Sequence, residues 1–218
     1  MVDRETFESF LKGVCGRNSI HLKREQIEKF YTYYLQLAKW NRVHNLTALR
    51  DWKEIALRHF CDSLTLVKFF EGINYSPSGK RLVDVGSGAG FPGVPLKIYY
   101  GDDLEVHLVE SVSKKCSFLR FLKTALKVPF EVHCTMAENL TERFDIAVSR
   151  ALEVKGKKVH PLEYAYNLLS NLSEELISIM AGKNPPVELV KRLNLSVFEL
   201  NLPDFKGQKI LYTFKGKG

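Results

Sequence analysis

A chain of 218 residues, 45% hydrophobic, 26% charged and carrying a net charge of +7, is long enough to bury roughly 70% of its extended surface in one main domain with an appendage, and its basic excess suits a phosphate-bearing partner. No apolar run approaches the roughly 20 residues of a membrane span, and Met1-Val2-Asp3-Arg4-Glu5 is charged where a signal peptide turns apolar, so a cytoplasmic protein with no membrane partner is expected. Cys15, Cys61, Cys116 and Cys134 are widely spaced with no C-x-x-C pair, which predicts reduced thiols and neither a metal site nor a disulfide framework.

Phe7, Phe10, Leu11 and Val14 recur at i, i+3, i+4 and i+7 and predict a helix over residues 3 to 16. A second helix is predicted at about 23 to 40, with Ile27, Phe30, Tyr31, Tyr34, Leu35 and Ala38 as its packing face. The pattern then breaks into a polar connection rich in amides and hydroxyls from Asn41 to Leu49. Asp51-Trp52-Lys53-Glu54 reads as a capping box that opens a long helix through about Phe70, with Ile55, His59, Asp62 and Leu66 along one side.

Gly72, Asn74, Pro77, Ser78 and Gly79 mark a boundary, so the chain divides into a helical cap at 1–74 and a sheet domain at 75–218. Strands are predicted at 81–85, 104–110, 130–135, 144–149, 175–180, 195–201 and 209–214, with helices near 93–100, 114–126, 160–172 and 186–193 between them. Short apolar strands separated by helices imply an α/β fold with a mostly parallel sheet covered on both faces. Only Leu202 to Gln208 separates the last two strands, which therefore should pair antiparallel as a hairpin at one edge. Asn184-Pro185-Pro186-Val187 reads as a turn before a helix.

The first strand ends in Asp84-Val85-Gly86-Ser87-Gly88-Ala89-Gly90-Phe91-Pro92-Gly93. The glycines permit a sharp turn and a close approach of a ligand to bare backbone, and the helix start offers unpaired N–H groups. A dinucleotide fingerprint needs G-x-G-x-x-G, whose last place here is Phe91, and the chain lacks a Walker loop. The spacing resembles instead the first motif of S-adenosylmethionine-dependent methyltransferases with a Rossmann-like fold; a glycine-rich turn without a ligand is the competing reading. In an open parallel sheet a ligand sits beyond the carboxyl ends of the strands where strand order reverses. Glu110, roughly 20 residues past the glycines, is placed to accept ribose hydroxyls, or else to cap the following helix. Met136-Ala137-Glu138-Asn139 follow the third strand, where they could address an adenine edge or merely serve a helix start. Arg150 closes the fourth strand and could hold a carboxylate or phosphate, or form a surface ion pair.

Trp40-Asn41, Asn45-Leu46-Thr47-Ala48, Arg50-Asp51, Arg58-His59-Phe60 with Asp62-Ser63-Leu64, and the glycine loop together resemble the bacterial small-subunit (16S) ribosomal RNA guanine-N7 methyltransferases, also called glucose-inhibited division protein B. The resemblance runs nearly end to end and is specific in the segments ahead of the loop. It implies a class I methyltransferase fold, S-adenosyl-L-methionine as cofactor, a monomer, and ribosomal RNA or a small-subunit precursor as substrate. It implies cofactor contacts at Gly86, Phe91, Ala137, Glu138 and Arg150; Gly88 and Glu110 join them from the general fold. Asn45, Thr47, Arg50 and His59 are expected to line the cleft and orient the target guanosine, although capping and interhelix bonding would also account for them. Guanine N7 carries an in-plane lone pair and no proton, so no general base is assigned. Lys155, Lys157 and Lys158 are candidates for phosphate contacts. The other classes left open are a non-catalytic RNA-binding or nucleoside-sensing protein and a methyltransferase with a different substrate.

Overall fold

The computed structural model describes residues 2–150 and 159–215; the three lysines Lys155, Lys157 and Lys158 lie outside them. Asp3 accepts a hydrogen bond from the Thr6 N–H and opens α1 (Arg4–Arg17), which buries Phe7, Leu11 and Val14. α2 (Arg24–His44) runs a turn longer than its apolar pattern suggested. Asn41 stays helical yet serves the connection, its Oδ1 accepting from the Thr47 N–H and its Nδ2 donating to the Leu49 carbonyl. Asn45, left-handed at φ 48°, then closes the helix.

Asp51 caps α3 (Trp52–Ile55) by accepting from the Lys53 and Glu54 N–H groups. Glu54 pairs with Arg58 at 2.7 Å instead of reaching back, so only half of the expected capping box forms. The chain continues without a break through a π-helical turn, Ala56–Cys61, into α4 (Asp62–Gly72). Such wide turns are rare and gather at functional sites.

Seven strands follow: β1 (Lys80–Val85), β2 (Leu104–Glu110), β3 (Glu131–Cys134), β4 (Phe144–Arg150), β5 (Ser173–Gly182), β6 (Ser196–Glu199) and β7 (Lys209–Phe214). Between them lie α5 (Gly93–Tyr100), α6 (Ser113–Leu126), α7 (Pro161–Leu172) and α8 (Val187–Arg192). Their order is β3-β2-β1-β4-β5-β7-β6. Neighbours from β3 to β5 are parallel, while β7 pairs antiparallel with both β5 and β6, which gives the expected edge hairpin. Strand order reverses at β1 and β4, where Val85 stands opposite Ser149.

Alternation along the strands sends Leu82, Val106, Leu108 and Ile146 to one face and Val83, Val109, Ala147 and Ile177 to the other. The first set shares one buried cluster with Phe7, Phe30 and Phe60 of the cap; the second packs against Ala165, Leu168 and Leu169 of α7. The cap is therefore seated on the sheet through a common apolar core.

The expectation of four reduced thiols is corrected: Cys116 and Cys134 form a disulfide, while Cys15 and Cys61 are free and buried. β3 lies beside β2 with Cys134 opposite Glu110, and α6 returns over that edge with Cys116 in its first turns. A spacing of 18 residues carries no pairing signal in the sequence, but the β-α-β turn brings the two Cα atoms to 5.7 Å.

Candidate active site

The glycine loop is built from backbone hydrogen bonds. Gly86 and Ser87 both donate to the Val109 carbonyl, and Gly90 and Phe91 to that of Ser87. Gly86, Gly88 and Gly90 all have positive φ. At Gly90 (φ 103°) an added Cβ would lie 2.6 Å from the Tyr33 hydroxyl, which donates to the Ala89 carbonyl at 2.5 Å. Gly90→Ala is thus expected to destabilise the fold by about 2–4 kcal/mol through strain and overpacking, read as a lower urea midpoint. Gly79→Ala, also at positive φ but with open space around it, should cost only the strain and so less.

Glu110 is tied to this loop. Its Oε2 accepts from the Gly88 N–H at 2.9 Å and its Oε1 from the Val112 N–H at 2.8 Å. The carboxylate serves the turn into α6, as one of the two readings of the sequence has it, and it stands at the strand end beside the glycine loop.

Asp84 is fully buried, with Oδ2 accepting from the Gly93 N–H at 2.9 Å and Oδ1 without a partner among the described residues. Burial pushes its carboxyl up to about 7, against the opposing effect of the Gly93 N–H. Arg150 donates through Nη2 to the Arg58 carbonyl at 2.6 Å and pairs with Asp62 at 3.0 Å, while its buried Nη1 has no partner among the described residues. The π-helical turn and the start of α4 thereby supply the two acceptors that fix this guanidinium.

His59 stacks on Phe91, with ring centroids 4.4 Å apart at 17°, and its Nε2 lies 2.7 Å from Thr47 Oγ1. Burial, followed by the charge of Arg150, lowers its basicity to about 3, so the ring is neutral and offers one donor and one acceptor. Its Nδ1 is a further buried atom with no partner among the described residues, as is Ser149 Oγ. Tyr33 stacks on Phe91 at 5.4 Å and 7°, completing an aromatic wall from the cap.

The remaining candidates sit as follows. Ala137 and Glu138 form a short 3-10 turn after β3, and Glu138 accepts from the Tyr164 hydroxyl at 2.6 Å. Asn45 and Arg50 bond to each other, Nη2 to Oδ1 at 3.0 Å, on an exposed stretch of the cap, while Thr47 and His59 reach the loop at Phe91. The structure adds Asp84, Asp62 and Tyr33. The first was legible as the acid ending the first strand; Tyr33 was hidden because Tyr31 and Tyr34 also fit the helical spacing.

Buried polar atoms normally find partners, and among the described residues Asp84 Oδ1, His59 Nδ1, Ser149 Oγ and Arg150 Nη1 do not. An acceptor, a guanidinium donor and bare loop backbone at the strand-order reversal fit a zwitterionic amino acid joined to a nucleoside, which is the make-up of S-adenosylmethionine.

The solved structures that resemble this chain carry the same fold. A magnesium protoporphyrin IX methyltransferase of Synechocystis with bound SAM is 14% identical, with a TM-score of 0.57 over 89% of this chain and 98% of that one. A T. thermophilus 16S rRNA methyltransferase in complex with AdoMet and guanosine is 20% identical, with a TM-score of 0.54 over 71% of this chain and 43% of that one. Sequence relatives are nearer. A ribosomal RNA small subunit methyltransferase G of Aquifex aeolicus is 41% identical over 88% of this chain and 93% of its own length. One of the same description from Dictyoglomus thermophilum is 36% identical over 82% and 81%. Residues 26–207 match the profile of GidB, rRNA small subunit methyltransferase G, and the chain belongs to that family.

Proposed function

We propose that the protein transfers the methyl group of S-adenosylmethionine to N7 of a guanosine in small-subunit ribosomal RNA, in the cytoplasm and as a monomer, with residues 1–74 capping the catalytic domain 75–218. The observation that carries the reading is the set of unpartnered buried polar atoms around the glycine loop, on the chain of a ribosomal RNA methyltransferase family. The cofactor supplies an electrophilic methyl on a sulfonium. Gly86, Gly88 and Phe91 shape its cradle, Glu110 is the acceptor for ribose hydroxyls, and Ala137 with Glu138 borders the adenine. Arg150 takes the carboxylate and Asp84 the ammonium. The guanine N7 lone pair needs no base, so the protein's work is alignment and exclusion of water. Lining of that cleft by Asn45, Thr47, Arg50 and His59 is part of the same reading.

Incubation with labelled cofactor and small ribosomal subunits, followed by mass mapping of the RNA, tests it. One methyl on a guanosine is expected; saturable cofactor binding with no mark on the RNA would leave only a binder. Within that assay, His59→Ala is expected to lower methyl transfer at least tenfold while costing about 1–2 kcal/mol of stability through the lost ring contact. Asn45→Gly keeps the left-handed cap and should leave the melting temperature nearly unchanged while methyl transfer falls severalfold. Losses of activity that merely follow melting temperature in both variants would remove these residues from the substrate path.

A further inference from the structure

Beyond Arg150 the site opens into a cleft of about 640 Å³, inside the roughly 300–1,000 Å³ range of small-ligand sites. One wall is the π-helical turn and the start of α4, through Leu57, Arg58 and Asp62; the other is the strand ends and hairpin, through Met180, Lys183 and Gln208. Arg150, itself part of the lining, is the direct partner of Met180 across β4 and β5, so the cleft begins at the strand ends beside the candidate site.

We infer that this cleft receives the extruded target nucleotide, the base between the cap turn and the β5 end and the flanking phosphates on the cations at the rim. The inference rests on the methyl-transfer reading above and assigns its substrate subsite. Charge decides the class of ligand. Both carboxylates of the lining are already engaged, Asp62 by Arg150 and Asp204 by Arg17 and Asn18. The Lys183 ammonium has no ion-pair partner among the described residues, and Lys209 donates to the neutral Lys183 carbonyl at 3.0 Å with the Glu199 carboxylate 4.0 Å away. Arg58, exposed on the opposite rim, is paired with Glu54 at 2.7 Å. Four lining cations, Arg58, Arg150, Lys183 and Lys209, against two lining carboxylates, Asp62 and Asp204, favour phosphate, and the apolar Leu57, Met180 and Phe205 provide surfaces that a base can cover. The deep, narrow major groove of A-form RNA shields guanine N7 from side chains, and a base extruded into a recess of this size presents that edge to a methyl donor beside it.

A smaller cavity of about 300 Å³ borders the same strand ends from the α7 side, between His160, Pro161 and Asn184. Among the described residues its lining includes no Lys or Arg, whereas that of the cap-side cleft includes four.

Two substitutions separate the possibilities. Gln208 lines the cleft and makes no side-chain hydrogen bond among the described residues, so Gln208→Trp fills the cleft without breaking a side-chain hydrogen bond. Lys183 is exposed, so Lys183→Glu reverses the rim charge without touching the core. Methyl transfer to unmodified small ribosomal subunits is measured beside S-adenosylmethionine affinity by calorimetry and melting temperature. Gln208→Trp is expected to lower kcat/KM for the subunit at least thirtyfold with cofactor affinity held within twofold. Lys183→Glu should raise KM for the subunit about tenfold and flatten its dependence on salt, with kcat retained. Transfer within twofold of the parent in both variants, with cofactor binding intact, would overturn the assignment and direct attention to the cavity beside His160. A parent protein that binds the cofactor yet labels no RNA would instead overturn the methyl-transfer reading itself.

Discussion

Arg150→Ala is expected to weaken S-adenosylmethionine binding by about 30- to 1,000-fold, the equivalent of roughly 2–4 kcal/mol for a charge-assisted contact made out of reach of water. The same substitution should lower the stability of the free protein by about 2–3 kcal/mol, because Asp62 then keeps a buried carboxylate with its partner gone. Burial already holds the Asp62 carboxyl above its ordinary range, and Arg150 followed by Arg58 is what restrains it. The two losses have different origins and can be separated. Adding Asp62→Asn to Arg150→Ala removes the stranded charge, so the double variant should regain most of the stability and none of the affinity. Calorimetric titration and thermal melts on the four proteins of that cycle check it. Recovery of both quantities together would mean that Arg150 acts on the cofactor only by holding the cap turn in place. The Arg150–Asp62 pair also ties the N-terminal helices to the sheet: the Arg58 carbonyl and the Asp62 carboxylate reach β4 from a segment that the sequence reading placed in a separate unit.

The parts of the molecule that were legible are those where one physical signal dominates. β2 and β7 have the limits expected from their apolar runs, because a strand buried among neighbours needs continuous apolar character and stops at the first turn residues. α5 was equally clear, opening at Gly93 just after Pro92 and ending at Gly101. The hairpin at the sheet edge followed from a connection too short for a crossover. Features set by contacts between distant segments were not legible. Asn41 was assigned to the connection, whereas it lies within α2 and serves the connection through its two bonds to Thr47 and Leu49. The π-helical turn at 56–61 has no residue that announces it; its sequence, Ala-Leu-Arg-His-Phe-Cys, would suit an α-helix. The Cys116–Cys134 bond depends on β2–β3 register, which spacing alone does not reveal. At the candidate site, the glycine loop was legible from its spacing, but the polar atoms left unpartnered around it depend on contacts between distant segments.

Asp84 makes stability itself a reporter of the site. Its carboxyl is held up to about 7 by burial, whereas in the unfolded chain it titrates near the ordinary 3.8. Between those values the folded protein keeps a proton that the unfolded chain has released, so this group's contribution is full below about pH 4, declines as pH rises and is gone above about 7. A difference of about three units corresponds to about 4 kcal/mol, most of it lost between pH 4.5 and 7.5. Asp84→Asn keeps an acceptor for the Gly93 N–H and does not ionise. Unfolding free energies of the two proteins, measured in urea across that range and subtracted, should therefore diverge in favour of the variant as pH rises, every other titrating group cancelling in the difference. Parallel curves would show that the Asp84 carboxyl is ionised throughout, and its unpartnered Oδ1 would then need a cation in the free protein. The bound state reverses the preference, since an ammonium group stabilises the carboxylate and not the acid. Affinity of the parent for S-adenosylmethionine should accordingly rise as pH approaches 7, while that of Asp84→Asn stays weak and nearly flat. Stability that falls with pH in the free protein together with affinity that rises over the same range is the paired signature by which Asp84 would report a cationic ligand.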